Sequence, residues 1–472
     1  MRVQADSPVA KLYDQAIRCI KAGRAPDAVK LLQQAIELYP SSGDLHAQLA
    51  GALSLSGDID GAVEEYKKAC RLSPKQPHIH FACAQYLLQT NNVAEAEKYF
   101  RKTFTLSPDI PDAIAHVGLC LQRQKKVDEA EKAFQQTLEI DPDNVHALYG
   151  LGQIYDARDE AAKAFEYFKR SKAVQAADMM AKAMSPRAMP AVISRFRRLT
   201  ASRETDSWKA VPMPEDWPRL VFLVGFPRSG TTLLDQILSG HPDIEVAEER
   251  NGLAYPGNFI IKTKKKTVPE ALSSLTADEI SDLRRMYFKA MKEMGFKLRH
   301  GSVFIDKLPL NLVYAPFIHR LFPEAKFILA LRHPCDSVLS CFMQPFQLNE
   351  SMMHFLDIEN AAKFYDLSFS AWEEAAAALK LKYHTVRYEN VVSDLKSEVD
   401  AALKFLELDW HEGMENFDQT AHGRRIKTPS ASQVSQKIYT RAKGRWHKYR
   451  EYMGKAPDIL RPWIEKYGYE FE

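Results

Sequence analysis

Residues 221–238 read VFLVGFPRSGTTLLDQIL. An apolar run gives way to a turn with Gly225 and Gly230, then to Thr231, Thr232 and a helical pattern. A short continuous apolar run bounded by glycine is the pattern of a strand buried on both faces. Gly230 permits a tight turn, because glycine adopts positive φ at no steric cost. The N–H groups of Ser229 to Thr232 can then converge at a helix N-terminus, where the peptide dipoles favour an anion. The loop therefore predicts a phosphate site. A loop built for a nucleoside triphosphate carries a lysine just before its threonine, to reach the β- and γ-phosphates beside Mg²⁺. Here Thr231 stands at the lysine position and Arg228 lies inside the loop. Transfer of a γ-phosphoryl group is not what this loop is built for.

Downstream, the same grammar repeats. Apolar runs at 302–306, 326–332 and 383–389 predict three more strands beside 220–225. Helical patterns lie between them, at Ser273–Glu293, Leu312–Leu321, Pro334–Met343, Asn360–Leu379 and Leu395–Leu406. Alternating strands and helices imply a mostly parallel sheet covered on both faces. Ligands of such sheets bind at the carboxyl ends of the strands, which is where the opening loop falls.

Upstream, the period changes. Pro40, Pro74, Pro108 and Pro142 are spaced by 34 residues. Twelve residues before each stands Ala28, Ala62, Ala96 or Ala130, and eight before each stands Leu32, Tyr66, Phe100 or Phe134. A degenerate fifth copy holds Gly152, Tyr155, Ala164 and Phe168. This pattern resembles the tetratricopeptide repeat (TPR), about five copies over residues 7–176. The resemblance implies helix hairpins stacked into an α-helical solenoid whose concave face binds a protein or peptide. A solenoid that only spaces or dimerises the rest of the chain is the alternative, so a homodimer stays open. His46, His78, His80, His116 and His146 read as ordinary histidines at differing repeat positions, not as a metal site. Residues 177–217, with four prolines, a fifth at Pro218 just beyond, and the basic piece SRFRRLT, read as a linker with room for one short helix. The second domain then runs from 218 to 472.

Composition narrows the partners. The 472 residues carry 64 Lys and Arg against 61 Asp and Glu, a net charge of +3 that argues against nucleic acid as a partner. Six scattered cysteines lack a CxxC pair and suit a reducing compartment. No apolar run approaches a membrane span, and the N-terminal residues lack a signal-peptide core. The expected location is cytoplasmic.

With its neighbours, the loop resembles a known family. The string PRSGTTLL followed by HPDIEVAEE is similar to the 5′-phosphosulfate loop of sulfotransferases, and most of all to that of tyrosylprotein sulfotransferases. These enzymes use 3′-phosphoadenosine 5′-phosphosulfate (PAPS). The resemblance implies an α/β P-loop-like fold, PAPS as donor and no metal. It places Pro227, Arg228, Ser229, Gly230, Thr231 and Thr232 around the 5′-phosphate, and Arg332 and Ser340 of FILALRHPCDSVLS on the 3′-phosphate. Arginine suits the latter task because its fork matches two phosphate oxygens. Lys307 of IDKLPLN is implied near the transferred group and Tyr388 of HTVRYENV on the nucleotide. Through TPSASQVSQKIYTRAKGRW, Ser430 and Arg445 map to the reactive centre, the family having lysine where Arg445 stands. Glu249 of AEE, with Glu248 beside it, maps to the base that takes the acceptor proton. The acceptor is left open among a protein tyrosine, a carbohydrate, a lipid and a small phenol. Two other readings stand beside this one. In the first, Asp306 is a metal-binding strand end of a P-loop kinase or NTPase; in the second, the repeats are a scaffold for an inactive domain.

Overall fold

The structure, a computed structural model, describes residues 7–181, 184–214, 216–415 and 443–471. The chain divides into two compact units that part between Val174 and Gln175.

The first unit consists of helix hairpins. Helices Pro8–Lys21 and Ala25–Leu38 are followed by Gly43–Ser56 with Ile59–Leu72, Pro77–Gln89 with Val93–Leu106, Pro111–Arg123 with Val127–Ile140, and Val145–Ala157 with Ala161–Ala181. The 34-residue pattern has a packing cause. Ala28, Ala62, Ala96 and Ala130 are fully buried, as are Leu32, Phe100 and Phe134. A Cβ on Gly118 would fall 2.5 Å from the Phe134 ring, and one on Gly150 2.3 Å from it. The ring thus wedges between helices that only glycine lets approach. Truncating Phe134 to alanine would cost about 3–5 kcal/mol through the cavity left behind. The histidines correct one expectation. His46 and His80 occupy equivalent repeat positions, and their Nε2 atoms lie 3.1 and 3.0 Å from the carbonyls of Pro40 and Pro74. They tie the closing turn of a repeat to the next helix.

The second unit is built on five parallel strands, β1 (Arg219–Gly225), β2 (Ile244–Glu248), β3 (Val303–Lys307), β4 (Lys326–Leu331) and β5 (Tyr383–Arg387), in the order β2-β3-β1-β4-β5. β2, absent from the expected set, reads IEVAE. It is a half-exposed edge strand, so it lacks the apolar run that marks the central ones. Side chains alternate across the sheet. Val221, Leu223, Ile305 and Ile328 share one cluster with Leu234 and Ile237 of helix Thr231–Leu238 and with Val399 and Leu403 of helix Leu395–Phe405. On the other face, Phe222 meets Phe322 and Phe327, and Phe327 meets Trp372 of helix Ile358–Leu379.

Helix Ala277–Glu293 starts with a capping box, Thr276 and Glu279 exchanging side-chain and backbone bonds. Within the stretch 177–217, helix Ala188–Ala201 packs Phe196 edge-on to Tyr314, and Arg197 is bonded to Glu374 at 2.9 and 3.1 Å. This helix belongs with the second unit. Among the described residues, no helix is long and apolar enough to cross a membrane.

Candidate active site

The loop after β1 is held in a conformation most sequences would refuse. A Cβ on Gly225 would sit 2.5 Å from the carbonyl oxygen of Ala330 in β4. Arg228 has φ 69° and Gly230 φ 95°. A positive φ on a non-glycine residue costs of order 1–3 kcal/mol and persists only when its surroundings hold it. Two contacts do so. Cys341 Sγ lies 3.2 Å from the carbonyl oxygen of Pro227, and Arg332 Nη1 donates to that of Arg228 at 3.1 Å. Gly230 caps helix Thr231–Leu238 and lies under Tyr388, whose ring a Cβ would approach to 2.7 Å. Ser229, Thr231 and Thr232 are buried at this helix start, and Ser229 Oγ has no hydrogen-bond partner among the described residues.

On the β4 side, cations gather. Arg332 follows β4 directly, and its guanidinium lies 5.0 Å from the centroid of the Tyr388 ring. Tyr388 itself opens the short helix Tyr388–Ser393, so β5 stops one residue before it rather than at 389. Ser340, two turns into helix Pro334–Phe342, accepts from Arg228 Nε at 3.1 Å. Arg228, Arg332, Ser340 and Tyr388 therefore meet around the loop, as their sequence motifs imply. Arg445 opens the 3₁₀ helix Arg445–Tyr452. Asp336 accepts from the backbone N–H groups of Gly444 and Trp446, at 2.8 and 2.9 Å, and so ties that segment to the helix of Ser340. Ser430 lies outside the described residues.

On the β3 side, carboxylates gather around one ammonium. Lys307 ends β3 with no solvent exposure, on the face covered by helix Thr231–Leu238. Its Nζ lies 3.0 Å from Asp235 Oδ2, 3.2 Å from Glu249 Oε1 and 3.7 Å from Glu248 Oε1. Glu249 leaves β2 at φ 47° and donates its N–H to the Lys307 carbonyl at 2.8 Å. Burial alone would lower the pKa of Lys307, but the three carboxylates outweigh it and the pKa is raised. Burial raises Asp235 despite the lysine. Burial, then the Asp235 charge, pushes Glu248 up to about 7. Three carboxylates facing one cation leave two negative charges when all ionise, so this cluster takes up protons readily.

Asp306 points the other way. It accepts from Tyr287 Oη at 2.8 Å and Asn311 Nδ2 at 3.4 Å in the opposite layer, where burial raises its pKa to about 7. The residue on which a kinase or NTPase reading rests is thus absorbed in a core network, away from the loop.

Residues 218–412 match the model of the sulfotransferase family. The second unit holds a sulfotransferase-family domain. Residues 20–67, 52–91 and 111–177 match tetratricopeptide-repeat models. An uncharacterised protein of Aquifex aeolicus is 27% identical over 264 residues, 53% of this chain and 34% of that protein. The chain therefore spans about a third of that relative's length. A putative protein-tyrosine sulfotransferase of Caenorhabditis briggsae is 24% identical over 269 residues, 55% of this chain and 91% of that protein. Protein-tyrosine sulfotransferase 1 of Danio rerio is 24% identical over 275 residues, 54% of this chain and 73% of that protein.

Reading the sulfotransferase domain from sequence missed Asp235 and Asp336. Each left a signal. Asp235 is the one charge in the apolar helix TTLLDQIL, and a lone charge there needs a buried partner. Asp336, itself buried, is the one charge in the helix PCDSVLSCF.

Proposed function

We propose that the second unit transfers a sulfuryl group from PAPS to a hydroxyl acceptor, and that the helical repeats dock a polypeptide partner. The observation that carries the transfer reading is the convergence of Arg228, Arg332 and Ser340 on a loop without a lysine, beside Glu249. Ser229 Oγ, buried with no partner among the described residues, fits an anionic ligand there. Arg228, the loop N–H groups, Thr231 and Thr232 would hold the 5′-phosphate. Arg332 and Ser340 would hold the 3′-phosphate, with Tyr388 beside the nucleotide. PAPS, when bound, supplies a sulfuryl group on a phosphate leaving group.

Glu249 takes the acceptor proton. Its side chain is 37% exposed, so an incoming hydroxyl can reach it, while Lys307 holds one of its oxygens. Lys307, Arg228 and Arg445 would offset charge that develops on the leaving side, where preorganised cations cost no reorganisation at the moment of reaction. Ser430 keeps the role its motif implies. A single phosphate joined to sulfur carries less charge than a triphosphate, so side-chain cations replace lysine and metal.

The test is calorimetry with adenosine 3′,5′-bisphosphate in the absence of Mg²⁺, paired with transfer from radiolabelled PAPS. Micromolar binding without metal and labelling lost in Glu249→Ala support the reading. Mg²⁺-dependent ATP binding in its place would overturn it.

A further inference from the structure

Next to Glu249 lies a cavity of about 480 Å³. Its lining includes Glu249, Arg250, Asn251, Tyr255 and Asn258. Arg250 and Asn251 follow the base directly, and Tyr255 and Asn258 come from helix Ala254–Lys264. The side chains of these last four residues make no hydrogen bond or ion pair among the described residues. The apolar remainder of the lining is Ala254 and Met294.

The same helix carries an aromatic ridge. Among the described residues of the second unit, the large apolar side chains that stay exposed are Met180, Tyr255, Phe259, Ile261 and Tyr383, and three of these five lie on this one helix. Tyr255 and Phe259 are spaced i and i+4, so they share a face with about 5–6 Å between their Cβ atoms. An exposed apolar cluster of this kind marks a binding surface more often than an accident of composition.

We propose that this cavity and ridge form the acceptor site, and that the acceptor is an oligosaccharide. The proposal rests on the sulfuryl-transfer reading and names its substrate class. A carboxamide offers a donor and an acceptor side by side, and a guanidinium offers several donors. Adjacent sugar hydroxyls present the matching pairs. The flat C–H face of a pyranose ring rests on an aromatic ring, and Tyr255 and Phe259 give two such platforms in a row. A phenol or tyrosine side chain instead needs an apolar slot, and Ala254 with Met294 is a poor one. Sites that hydrogen-bond hydroxyls reject analogues lacking them, because their polar groups are left unpaired. In the transfer, one sugar O–H gives its proton to Glu249 and its oxygen forms the new O–S bond. The bridging S–O bond breaks, and its electron pair leaves on adenosine 3′,5′-bisphosphate.

The test uses the full chain and radiolabelled PAPS on an array of defined neutral and acidic oligosaccharides, run beside an array of tyrosine peptides. Label is expected on oligosaccharides. On the best of them, Tyr255→Ala and Asn258→Ala should each raise KM about tenfold with kcat within about threefold, and Tyr255→Phe should retain most of the ring's contribution. Both positions are exposed, so the melting temperature should hold. Binding of adenosine 3′,5′-bisphosphate should stay within about twofold in every variant, which separates acceptor from donor effects. Label confined to tyrosine peptides overturns the proposal and leaves sulfuryl transfer standing. So does an oligosaccharide KM indifferent to both alanine variants, or donor binding with no oligosaccharide labelled. Failure to bind adenosine 3′,5′-bisphosphate removes the transfer reading, and this proposal with it.

Discussion

The two flanks of the β1 loop solve opposite electrostatic problems. On the β4 side, Arg332 donates to the carbonyl of Arg228 and lies over the Tyr388 ring, while Arg228 donates to the Ser340 hydroxyl. On the β3 side, one buried lysine meets three carboxylates. The first flank gathers positive charge and gains when an anion arrives. The second gathers negative charge and gains when a proton arrives. Sulfuryl transfer needs both, a grip on phosphates and a place for the acceptor proton, and the loop stands between them.

The largest break in this contrast should come from Glu249. Glu249→Gln removes the proton acceptor while keeping its shape, and transfer should fall about 10²–10⁴-fold. Donor binding, measured by calorimetry, should barely move; an equal loss in both would shift Glu249 to the donor side. Next comes the lysine. Lys307→Met leaves Asp235 buried beside two further carboxylates with no cation, and loss of one partner of a buried pair costs about 3–5 kcal/mol. Urea unfolding near pH 8 should show that loss, and restoring charge balance with Asp235→Asn should recover part of it. A double variant no better than the single would mean that the cluster does not couple these groups. A smaller effect is expected on the other flank. Arg332→Ala should weaken adenosine 3′,5′-bisphosphate by about 1.5–3 kcal/mol, the usual worth of hydrogen bonds to a charged group. Arg332→Lys should regain only part, since lysine cannot form the bidentate fork. Full recovery by lysine would mean that Arg332 acts as a bare charge.

The two flanks also differ in how far the sequence disclosed them. Arg228, Arg332 and Ser340 are each readable because every one is pinned to a local landmark: a glycine turn, the end of an apolar strand, a helix two turns long. The carboxylate cluster is assembled from three separate elements, β2, β3 and helix Thr231–Leu238. Lys307 and Glu249 came with their motifs. Their meeting with Asp235 depends on strand order, which period and composition do not encode. The strand that delivers Glu248 and Glu249 was itself invisible, because a five-residue edge strand carrying two glutamates lacks the apolar run of a buried one. In the first unit the reverse holds. Repetition at a fixed spacing announces the hairpins outright, since each packing contact recurs and every proline, alanine and aromatic is a repeated solution to one local problem. What spacing left unread there was the pairing of His46 and His80 with the closing prolines, a contact made by side chains rather than by period.

The smallest expected effect is the one that tests the proton-taking flank most directly. Burial and the neighbouring Asp235 push Glu248 up to about 7, above its ordinary value of 4.5. A carboxyl whose folded pKa is raised binds more protons in the folded chain than in the unfolded one between those two values. Stability from this group is therefore present at low pH and is lost as pH rises from about 4.5 through about 7. Each tenfold difference in proton affinity between the folded and unfolded chain is worth about 1.4 kcal/mol, so the rise from 4.5 to about 7 sets a ceiling of about 3 kcal/mol; the 21% exposure of Glu248 screens part of it, and a loss of about 1–2 kcal/mol is expected. Asp306, raised in the same direction by burial, adds a background of the same sign. The comparison that isolates Glu248 is the difference between the parent chain and Glu248→Gln, followed by urea unfolding from pH 5 to pH 8. The glutamine chain should match the parent near pH 5 and exceed it at pH 8. Parallel curves across that range would mean that Glu248 stays ionised throughout, and that Lys307 alone balances the charge its three neighbours bring.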